Sequence, residues 1–433
     1  MPANSIPQRS FGKKTKKQNL PRAVPVIGLG CSSFANNFVD KEDDIDTELT
    51  VRQSSAHLLN ETHPKVQEWV ETLQLAIASG INLLDTAPWY GHGSSEIVIG
   101  LTLKKLEIDR SKLVINTKVG RYDAEPVEQF DFSYDMTIQS VKRSIERMGC
   151  EHINVLQLHD PEFSPSVDLL MAETIPAMME CKRRGWAKAL GLTGYPLEMH
   201  YEILERAKTL SATKDDSIFD QVLTYGHFNI HNQNLCTMSI NPNHDQSLME
   251  YCEANSLALV AAAPLSMGLL THDNPPFWHP ASDFLKEACQ NAACIAKEHN
   301  VNLPMLATLF ALAHDGVGCT LLGMGCKRDV DNAISAVKRY AKVQDLEKCA
   351  TSGIEDKGRS LRLQIQSKLF PILSESEAKV LNILLDEVIG PFANVWQNNE
   401  QAWDGMKEAD SFWSSVDGGK EAADIRMRLR SFK

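Results

Sequence analysis

Residues 81–91 read INLLDTAPWYG, a short apolar run that ends at Asp85 and continues into a loop with polar and aromatic side chains. Similar short apolar runs recur along the chain, and longer amphipathic stretches separate them. Strands that helices cover on both faces are apolar throughout, so this alternation predicts parallel β-α units. The predicted strands span residues 24–30, 81–85, 113–119, 153–159, 187–192, 219–224, 257–263 and 319–324.

The stretches between these runs have helical periodicity. The predicted helices span residues 65–79, 94–105, 134–149, 167–184, 196–208, 244–254, 283–299 and 304–314. Eight β-α units favour an α/β fold of the closed (β/α)8 TIM-barrel type over an open sheet. We expect the first apolar run to include a short hairpin across the base of the barrel.

The ends of the chain depart from this pattern and suggest three regions. We predict a disordered basic tail over residues 1–23, a barrel over 24–340 and a C-terminal helical extension over 341–433. We also expect that deletion of residues 1–20 leaves activity intact. Within the barrel, residues 39–64 are acidic and lack periodicity, which is typical of an inserted loop. The extension is predicted to contain helices at 335–350, 374–388 and 396–412, with a linker at 351–360.

Composition excludes several classes of protein. The net charge of −12 argues against a nucleic-acid surface, and we find no apolar run long enough to cross a bilayer or to act as a secretory signal. The ten cysteines form no C-x-x-C pair and no metal-ligand spacing, so we expect a reducing compartment, the cytoplasm, and no metal. A mitochondrial transit peptide stays open as an alternative for the basic N-terminus.

Reactive side chains follow three successive predicted strands. Asp85 ends the second strand, with Tyr90 in the loop after it, Lys118 lies near the end of the third, and His159 ends the fourth. Each one alone has an ordinary explanation, such as a helix cap, an ion pair or a core histidine. Because active sites of such barrels lie at the C-terminal ends of the strands, the four together predict one catalytic site.

These four groups suit a proton transfer that accompanies hydride transfer. A tyrosine has an ordinary pKa of about 10, and a nearby ammonium favours its phenolate form. We therefore expect Lys118 to lower the pKa of Tyr90 and Asp85 to keep Lys118 charged. We expect His159 to orient the substrate oxygen by a hydrogen bond.

The motifs DTAPWYG at 85–91 and QLHD at 157–160, with Lys118, resemble the aldo-keto reductase superfamily. The chain is most similar to its L-galactose dehydrogenase branch, and the resemblance extends through KVGRY at 118–122, LQLHDPEF at 156–163, GLTGYPLE at 191–198 and APLSMGLLT at 263–271. It implies oxidation of an L-galactose-like aldose at the anomeric carbon to the lactone. In that reaction Tyr90 is the general acid/base, Lys118 and Asp85 tune it, and His159 orients the sugar.

The resemblance also implies NAD as the cofactor, with NADP as an alternative. Its carboxamide would bind Thr193 and Gln221, whereas Gly194 stands where the family pattern has an amide side chain. Lys327 or Arg328 would hold the 2′-phosphate if NADP is used. The further cofactor contacts are assigned to Gly30, Cys31, Pro264, Leu265, Gly323, Met324, Gly325, Cys326, Arg328 and Asn332.

Two further features concern ligands. The turn at 322–328 is rich in glycine and precedes a predicted helix, so its backbone N–H groups suit phosphate, although glycine is common in such turns for conformational reasons alone. Four residues in the loops of the mouth are candidates for a sugar pocket, with rim packing as the alternative. They are Trp89, Tyr122, Asp160 and Trp278.

Two other functions use the same pattern. One is an NADPH-dependent reductase of aldehydes or ketones, which runs the same four residues in the opposite direction. The other is a non-catalytic regulatory subunit that senses the cofactor. In each case we expect a small-molecule aldose or carbonyl compound and the nicotinamide cofactor as partners, no nucleic acid or membrane, and a monomer or weak dimer.

Overall fold

The computed structural model describes residues 6–11, 20–35, 59, 61–106, 110–122, 129–211, 217–273, 279, 281–349 and 361–388. Its strands are β1 (Gln8–Ser10), β2 (Ala23–Pro25), β3 (Ile27–Gly30), β4 (Leu83–Asp85), β5 (Val114–Val119), β6 (Ile153–His159), β7 (Ala187–Gly194), β8 (Gln221–Tyr225), β9 (Ser239–Asn241), β10 (His244–Ser247), β11 (Ala258–Ala262) and β12 (Cys319–Gly323).

The helices lie mainly between the strands. They are α1 (Pro64–Ala78), α2 (Ser94–Leu106), α3 (Tyr134–Met148), α4 (Val167–Leu169), α5 (Ile175–Arg183), α6 (Leu197–Ala207), α7 (Asn234–Thr237), α8 (Leu248–Ala254), α9 (Asp283–Glu298), α10 (Leu303–Leu312), α11 (Lys327–Cys349), α12 (Leu361–Leu369) and α13 (Glu375–Ile383).

Eight parallel strands close into a barrel, which confirms the predicted (β/α)8 TIM fold. The order around the barrel is β3-β4-β5-β6-β7-β8-β11-β12, and β12 pairs with β3 to close it. The strands are almost entirely buried, as strands under a layer of helices must be. Each predicted apolar run contains one barrel strand, and the predicted and observed bounds agree within a few residues.

Two predicted helices are different in the structure. The 244–254 segment begins as β10, which pairs with β9 in a hairpin, and α8 starts only after Ser247, whose side chain and Glu250 form a capping box. The 167–184 segment is interrupted by a π-turn over Leu170–Thr174. Pro176 follows that turn, and its missing N–H and its ring disrupt regular α-helical bonding on its N-terminal side.

The prediction of a disordered N-terminal tail is wrong for residues 6–11. β1 pairs with β2, so the expected hairpin across the base includes part of the tail. The guanidinium of Arg9 is buried and donates to the carbonyls of His314 (3.0 Å) and Val317 (2.9 Å) and to Leu312. Phe11 packs over the apolar side chains inside the lower end of the barrel. Deletion of this segment would therefore open the base.

The C-terminal extension is helical where the structure describes it. The segment predicted as a helix at 335–350 is the second half of α11, and α13 with the π-turn after it covers the predicted 374–388 helix. α12 was not predicted. Arg339 on α11 holds α13 through both carboxylate oxygens of Glu377, each at 2.8 Å. Nearly all of the predicted insert, the linker and the 396–412 helix lie outside the described residues.

Candidate active site

The four predicted catalytic residues meet at the C-terminal mouth of the barrel. Asp85 ends β4, Lys118 is the second-last residue of β5, and His159 ends β6. All three are at least nine-tenths buried, and Tyr90, in the loop after β4, is half-buried. The barrel topology therefore places them as expected from the positions of the strand ends.

Lys118 is the centre of the cluster. Its Nζ donates to Asp85 Oδ1 at 2.5 Å, to the carbonyl of Thr86 at 2.8 Å and to Tyr90 Oη at 3.1 Å. Burial opposes the charge on the lysine, but Asp85 and Tyr90 offset it and raise the pKa of Lys118. The lysine is consequently an ammonium at neutral pH, in direct contact with the phenol.

The loop that carries Tyr90 is fixed by close backbone packing. Gly91 and His92 have positive φ angles of 59° and 51°, and a Cβ on Gly91 would lie 2.0 Å from Ser94 Oγ. The hydroxyls of Ser94 and Ser95 donate to the carbonyls of Phe34 and Cys31. These contacts tie the loop to the end of β3, and they hold the phenol in place.

The pKa of Tyr90 moves opposite to the sequence-based expectation. Burial raises it, and the attraction of the Lys118 ammonium for the phenolate does not offset that burial. The neighbouring Asp85 carboxylate acts in the same direction as burial because it repels the phenolate. Tyr90 is therefore a protonated acid at neutral pH, and Lys118 orients its hydroxyl.

His159 lies beside Tyr90 and is neutral. Their ring centroids are 6.1 Å apart and the rings are perpendicular, at 89°. Burial lowers the pKa of His159 to about 3, which the nearby Asp160 only partly opposes. A neutral imidazole has one N–H to donate and one nitrogen to accept, so it suits the orientation of a substrate oxygen.

A polar chain across the barrel interior supports Asp85. Gln157 Nε2 donates to Asp85 Oδ2 at 2.7 Å, and Gln221 Nε2 donates to Gln157 Oε1 at 3.0 Å. Gln221 begins β8, at the end of the strand that is farther from the mouth. Its amide is fully buried and engaged within the barrel, so the cofactor contact of Gln221 stays a prediction.

The candidate sugar residues divide into two groups. Trp89 is half-buried at the mouth, and the guanidinium of Arg121 lies over its ring, 3.7 Å from the centroid. Asp160 is also at the mouth, where it accepts from Arg121 at 2.7 Å. Tyr122 is fully buried with its hydroxyl near Ser140 of α3, so its assignment to the pocket is wrong. Trp278 lies outside the described residues.

Sequence reasoning missed three residues in this region: Arg121, Gln157 and Glu162. Arg121 lies two residues after β5, and Gln157 is an amide between two leucines of β6, so both had a detectable signal. Glu162 had none, because its role depends on a loop that folds back over Gly194. A Cβ on Gly194 would lie 2.6 Å from Glu162 Oε2, and burial raises the pKa of Glu162 to about 8.

The predicted cofactor residues lie around the ends of four strands. Gly30 pairs in register with Gly323, and Thr193 pairs with His159. A Cβ on Gly323 would meet no atom within 4 Å. Leu265 is half-buried, and Arg328 and Asn332 are exposed. Cys31, Pro264 and Met324 are buried. The open space at Gly323 and the buried, unpaired Glu162 Oε2 fit a nicotinamide nucleotide at the mouth.

The glycine-rich turn before α11 differs from the expectation. The N–H groups of Gly325 and Cys326 donate to Asp329 Oδ2, at 3.0 and 3.3 Å, so the helix caps itself with its own carboxylate. Lys327 pairs with Glu71 at 2.7 Å. These N–H groups are consequently not free for phosphate in this conformation.

The described part of the chain lacks two kinds of site. It contains no group of three His, Cys, Asp or Glu side chains arranged to hold a metal ion. It also contains no helix that is both long and apolar enough to cross a bilayer.

The barrel and the Asp-Tyr-Lys-His cluster at its mouth define a nicotinamide-dependent oxidoreductase. The sequence profile of the Aldo/keto reductase family matches residues 56–351, and the chain belongs to this family. The chain is 34% identical to the L-galactose dehydrogenase of Arabidopsis thaliana, over 62% of this chain and 77% of that protein. It is 32% identical to the D-arabinose 1-dehydrogenase of Saccharomyces cerevisiae, over 61% and 75% of the respective chains.

A solved structure shares the fold. The holo form of an aldo-keto reductase from Bacillus halodurans aligns with a TM-score of 0.54 at 22% identity, covering 82% of this chain and 100% of that chain. At this identity the likeness concerns the fold alone.

Proposed function

We propose that this protein is a sugar 1-dehydrogenase that oxidises an L-galactose-like aldose at the anomeric carbon to the lactone. The observation that carries the proposal is the contact of Lys118 Nζ with both Tyr90 Oη (3.1 Å) and Asp85 Oδ1 (2.5 Å) beside a neutral His159. The sugar dehydrogenases among its relatives support the choice of an aldose.

Each side chain of the site has a separate role in the proposed oxidation. His159 and Tyr90 hold the anomeric oxygen by hydrogen bonds, and Trp89 offers an apolar face to the ring. The phenolate form of Tyr90 takes the proton of the anomeric hydroxyl, and the Lys118 ammonium stabilises the phenolate until then. A bound nicotinamide would supply the hydride acceptor for the anomeric carbon. Gly30, Gly323 and Thr193 border the space for it.

The same site supports carbonyl reduction as a second candidate. Tyr90 is protonated at neutral pH because burial raises its pKa, so it is ready to donate a proton to a carbonyl oxygen. Reduction of an aldehyde needs that acid form, whereas oxidation of a sugar needs the base form. The direction with the larger kcat/KM at neutral pH decides between the two.

NAD is the proposed cofactor, with NADP as the alternative. Asp329 places a carboxylate at the start of α11, and Glu71 already pairs with Lys327. Both features disfavour the additional negative charge of a 2′-phosphate in that region. Arg328 is exposed and is the residue expected to hold a 2′-phosphate if NADP binds.

A panel of L-galactose, L-fucose and D-arabinose, each with NAD and NADP, tests the proposal. Formation of NADH with at least one of these aldoses, and its loss in Tyr90→Phe, is the expected result. Turnover that is confined to NADPH and aldehydes would assign the reductase function instead. No turnover in either direction, with retained cofactor binding, would favour a regulatory role. A cytoplasmic location and a monomeric or weakly dimeric state remain predictions.

A further inference from the structure

A carboxylate connects the imidazole of His159 to a guanidinium at the mouth of the barrel. Asp160 Oδ1 lies 3.6 Å from His159 Nε2, and Asp160 Oδ2 accepts from Arg121 Nη1 at 2.7 Å. Both Asp160 and His159 are more than nine-tenths buried. The three side chains therefore form a continuous row, in which Asp160 faces a different partner with each oxygen.

Arg121 holds this row in place from the outside. Its guanidinium lies over Trp89, 3.7 Å from the ring centroid, and within 5.1 Å of the centroid of Phe130. Stacking on aromatic faces restricts a guanidinium far more than solvent does. The backbone of Asp160 has a positive φ of 47°, and its N–H donates to the carbonyl of Thr193 at 2.9 Å. Asp160 is consequently held both by its backbone N–H and by its carboxylate oxygen.

The two nitrogens of His159 have different surroundings. Nδ1 is buried and has no hydrogen-bond partner among the described residues, whereas Nε2 faces the Asp160 carboxylate. A buried N–H group without an acceptor is rarer and more costly than an acceptor without a donor. The proton of the neutral ring therefore belongs on Nε2, and the negative charge of Asp160 favours the same position.

Asp160 is the charged carboxylate in this corner of the site. Burial opposes its charge, but the Arg121 guanidinium, which donates a hydrogen bond to it, lowers the pKa of Asp160. The next carboxyl along the loop is Glu162, whose pKa burial raises to about 8. At neutral pH the row thus contains one carboxylate, one guanidinium and one neutral imidazole.

We propose that Asp160, held by Arg121, is a positioning residue whose charge fixes His159 as the Nε2–H tautomer. Because the 3.6 Å between Asp160 Oδ1 and His159 Nε2 is longer than a hydrogen bond, the Nε2–H stays available to donate to the reacting oxygen of the substrate. The donor role of His159 rests on the proposed function, but the tautomer does not. This assignment replaces direct sugar binding by Asp160, since both of its oxygens already face protein groups. It also gives Arg121 a function in the reaction.

Nitrogen-15 NMR of the histidine rings tests the tautomer in the full-length protein. We expect wild-type His159 to show a protonated Nε2 and an unprotonated Nδ1 at pH 7, and Asp160→Asn to shift the population towards the Nδ1–H form. Asp220→Asn is the matched control, because Asp220 pairs with Lys182 at the same 2.7 Å but away from the mouth. A wild-type His159 protonated on Nδ1, or a tautomer that Asp160→Asn leaves unchanged, would overturn the proposal.

Kinetics separate positioning from a merely structural role. We expect Asp160→Asn to lower kcat by about 10- to 100-fold with the cofactor Kd unchanged, since only the orientation of the reacting oxygen is lost. Arg121→Lys should retain more activity than Arg121→Met, because it keeps a cation for Asp160. Equal losses in both Arg121 variants, or a changed KM with unchanged kcat, would refute it. If the wild type oxidises no aldose, the NMR result still decides the tautomer by itself.

Discussion

At the scale of single residues, the chemistry depends on how one phenol is held. Tyr90 has a lysine ammonium 3.1 Å from its oxygen, and burial keeps it protonated. Tyr90→Phe removes the hydroxyl and leaves the ring contacts intact. We therefore predict that kcat falls by about 10²- to 10⁴-fold, while the cofactor Kd, measured by fluorescence titration, changes little. Near-normal kcat in this variant would exclude Tyr90 as the general acid/base.

The raised pKa of Tyr90 also predicts a pH dependence with opposite signs in the two directions. Oxidation needs the phenolate, whose fraction rises about tenfold per pH unit below the pKa. We expect kcat for aldose oxidation to increase from pH 7 to pH 10, and kcat for carbonyl reduction to stay flat over most of that range. His159 contributes no titration there, because its pKa of about 3 lies far below. A plateau in oxidation at pH 7 would contradict the protonated state of Tyr90.

Sequence alone predicted that Asp85, Tyr90, Lys118 and His159 lie together at the mouth of the barrel, but not the state of their protons. Asp85, Lys118 and His159 could be located because each follows a recognisable apolar run, and the barrel brings strand ends together. The pKa of Tyr90 could not be predicted, since it depends on how deeply the loop buries the ring. The engaged amide of Gln221 was missed for a similar reason, because the partner of a buried side chain depends on strand register.

At the scale of elements, Gly191 in β7 allows the polar chain that holds Asp85. A Cβ on Gly191 would lie 2.8 Å from Gln157 Cγ and 3.0 Å from Val155 Cγ1. We predict that Gly191→Ala displaces Gln157, reduces the free energy of unfolding by about 1–3 kcal/mol and lowers kcat. Gly323→Ala is the stability control, because its Cβ would meet no atom within 4 Å. Denaturant unfolding of both variants measures the difference, and equal stabilities would refute the prediction.

The elements themselves were largely predictable. Period and composition identified every barrel strand, because a strand covered by helices outside and packed into the barrel interior inside has no solvent-facing side. The exceptions have local causes that periodicity does not detect. The segment at β10 forms a hairpin with β9, and a capping box at Ser247 sets the start of α8. Pro176 accompanies the change to a π-turn in the helical segment after β6.

At the scale of the whole molecule, β1 and α12 meet at the base of the barrel. Asp315, in the loop after α10, lies 3.6 Å from Arg9 of β1 and is also paired with Lys368 of α12. This ion-pair cluster of Arg9, Asp315 and Lys368 was not predictable, because Arg9 and Asp315 are more than 300 positions apart in sequence. The basic composition of the N-terminus suggested a solvated tail, whereas Arg9 is buried and binds backbone carbonyls at the base of the barrel.

The charge of Asp315 in this ion-pair cluster contributes to stability. Burial raises the pKa of Asp315, but Lys368 and Arg9 outweigh it and lower the pKa overall, so its charge stabilises the fold at neutral pH and is lost as the pH falls through the lowered folded-state value. We expect Asp315→Asn to cost about 1 kcal/mol at most, since the side chain is 62% exposed. Amide hydrogen exchange should speed up in β1 and α12 together at pH 7, with the mouth unaffected. Glu377→Gln should loosen only the C-terminal helices. Faster exchange in α12 alone would show that β1 and α12 are held independently of each other.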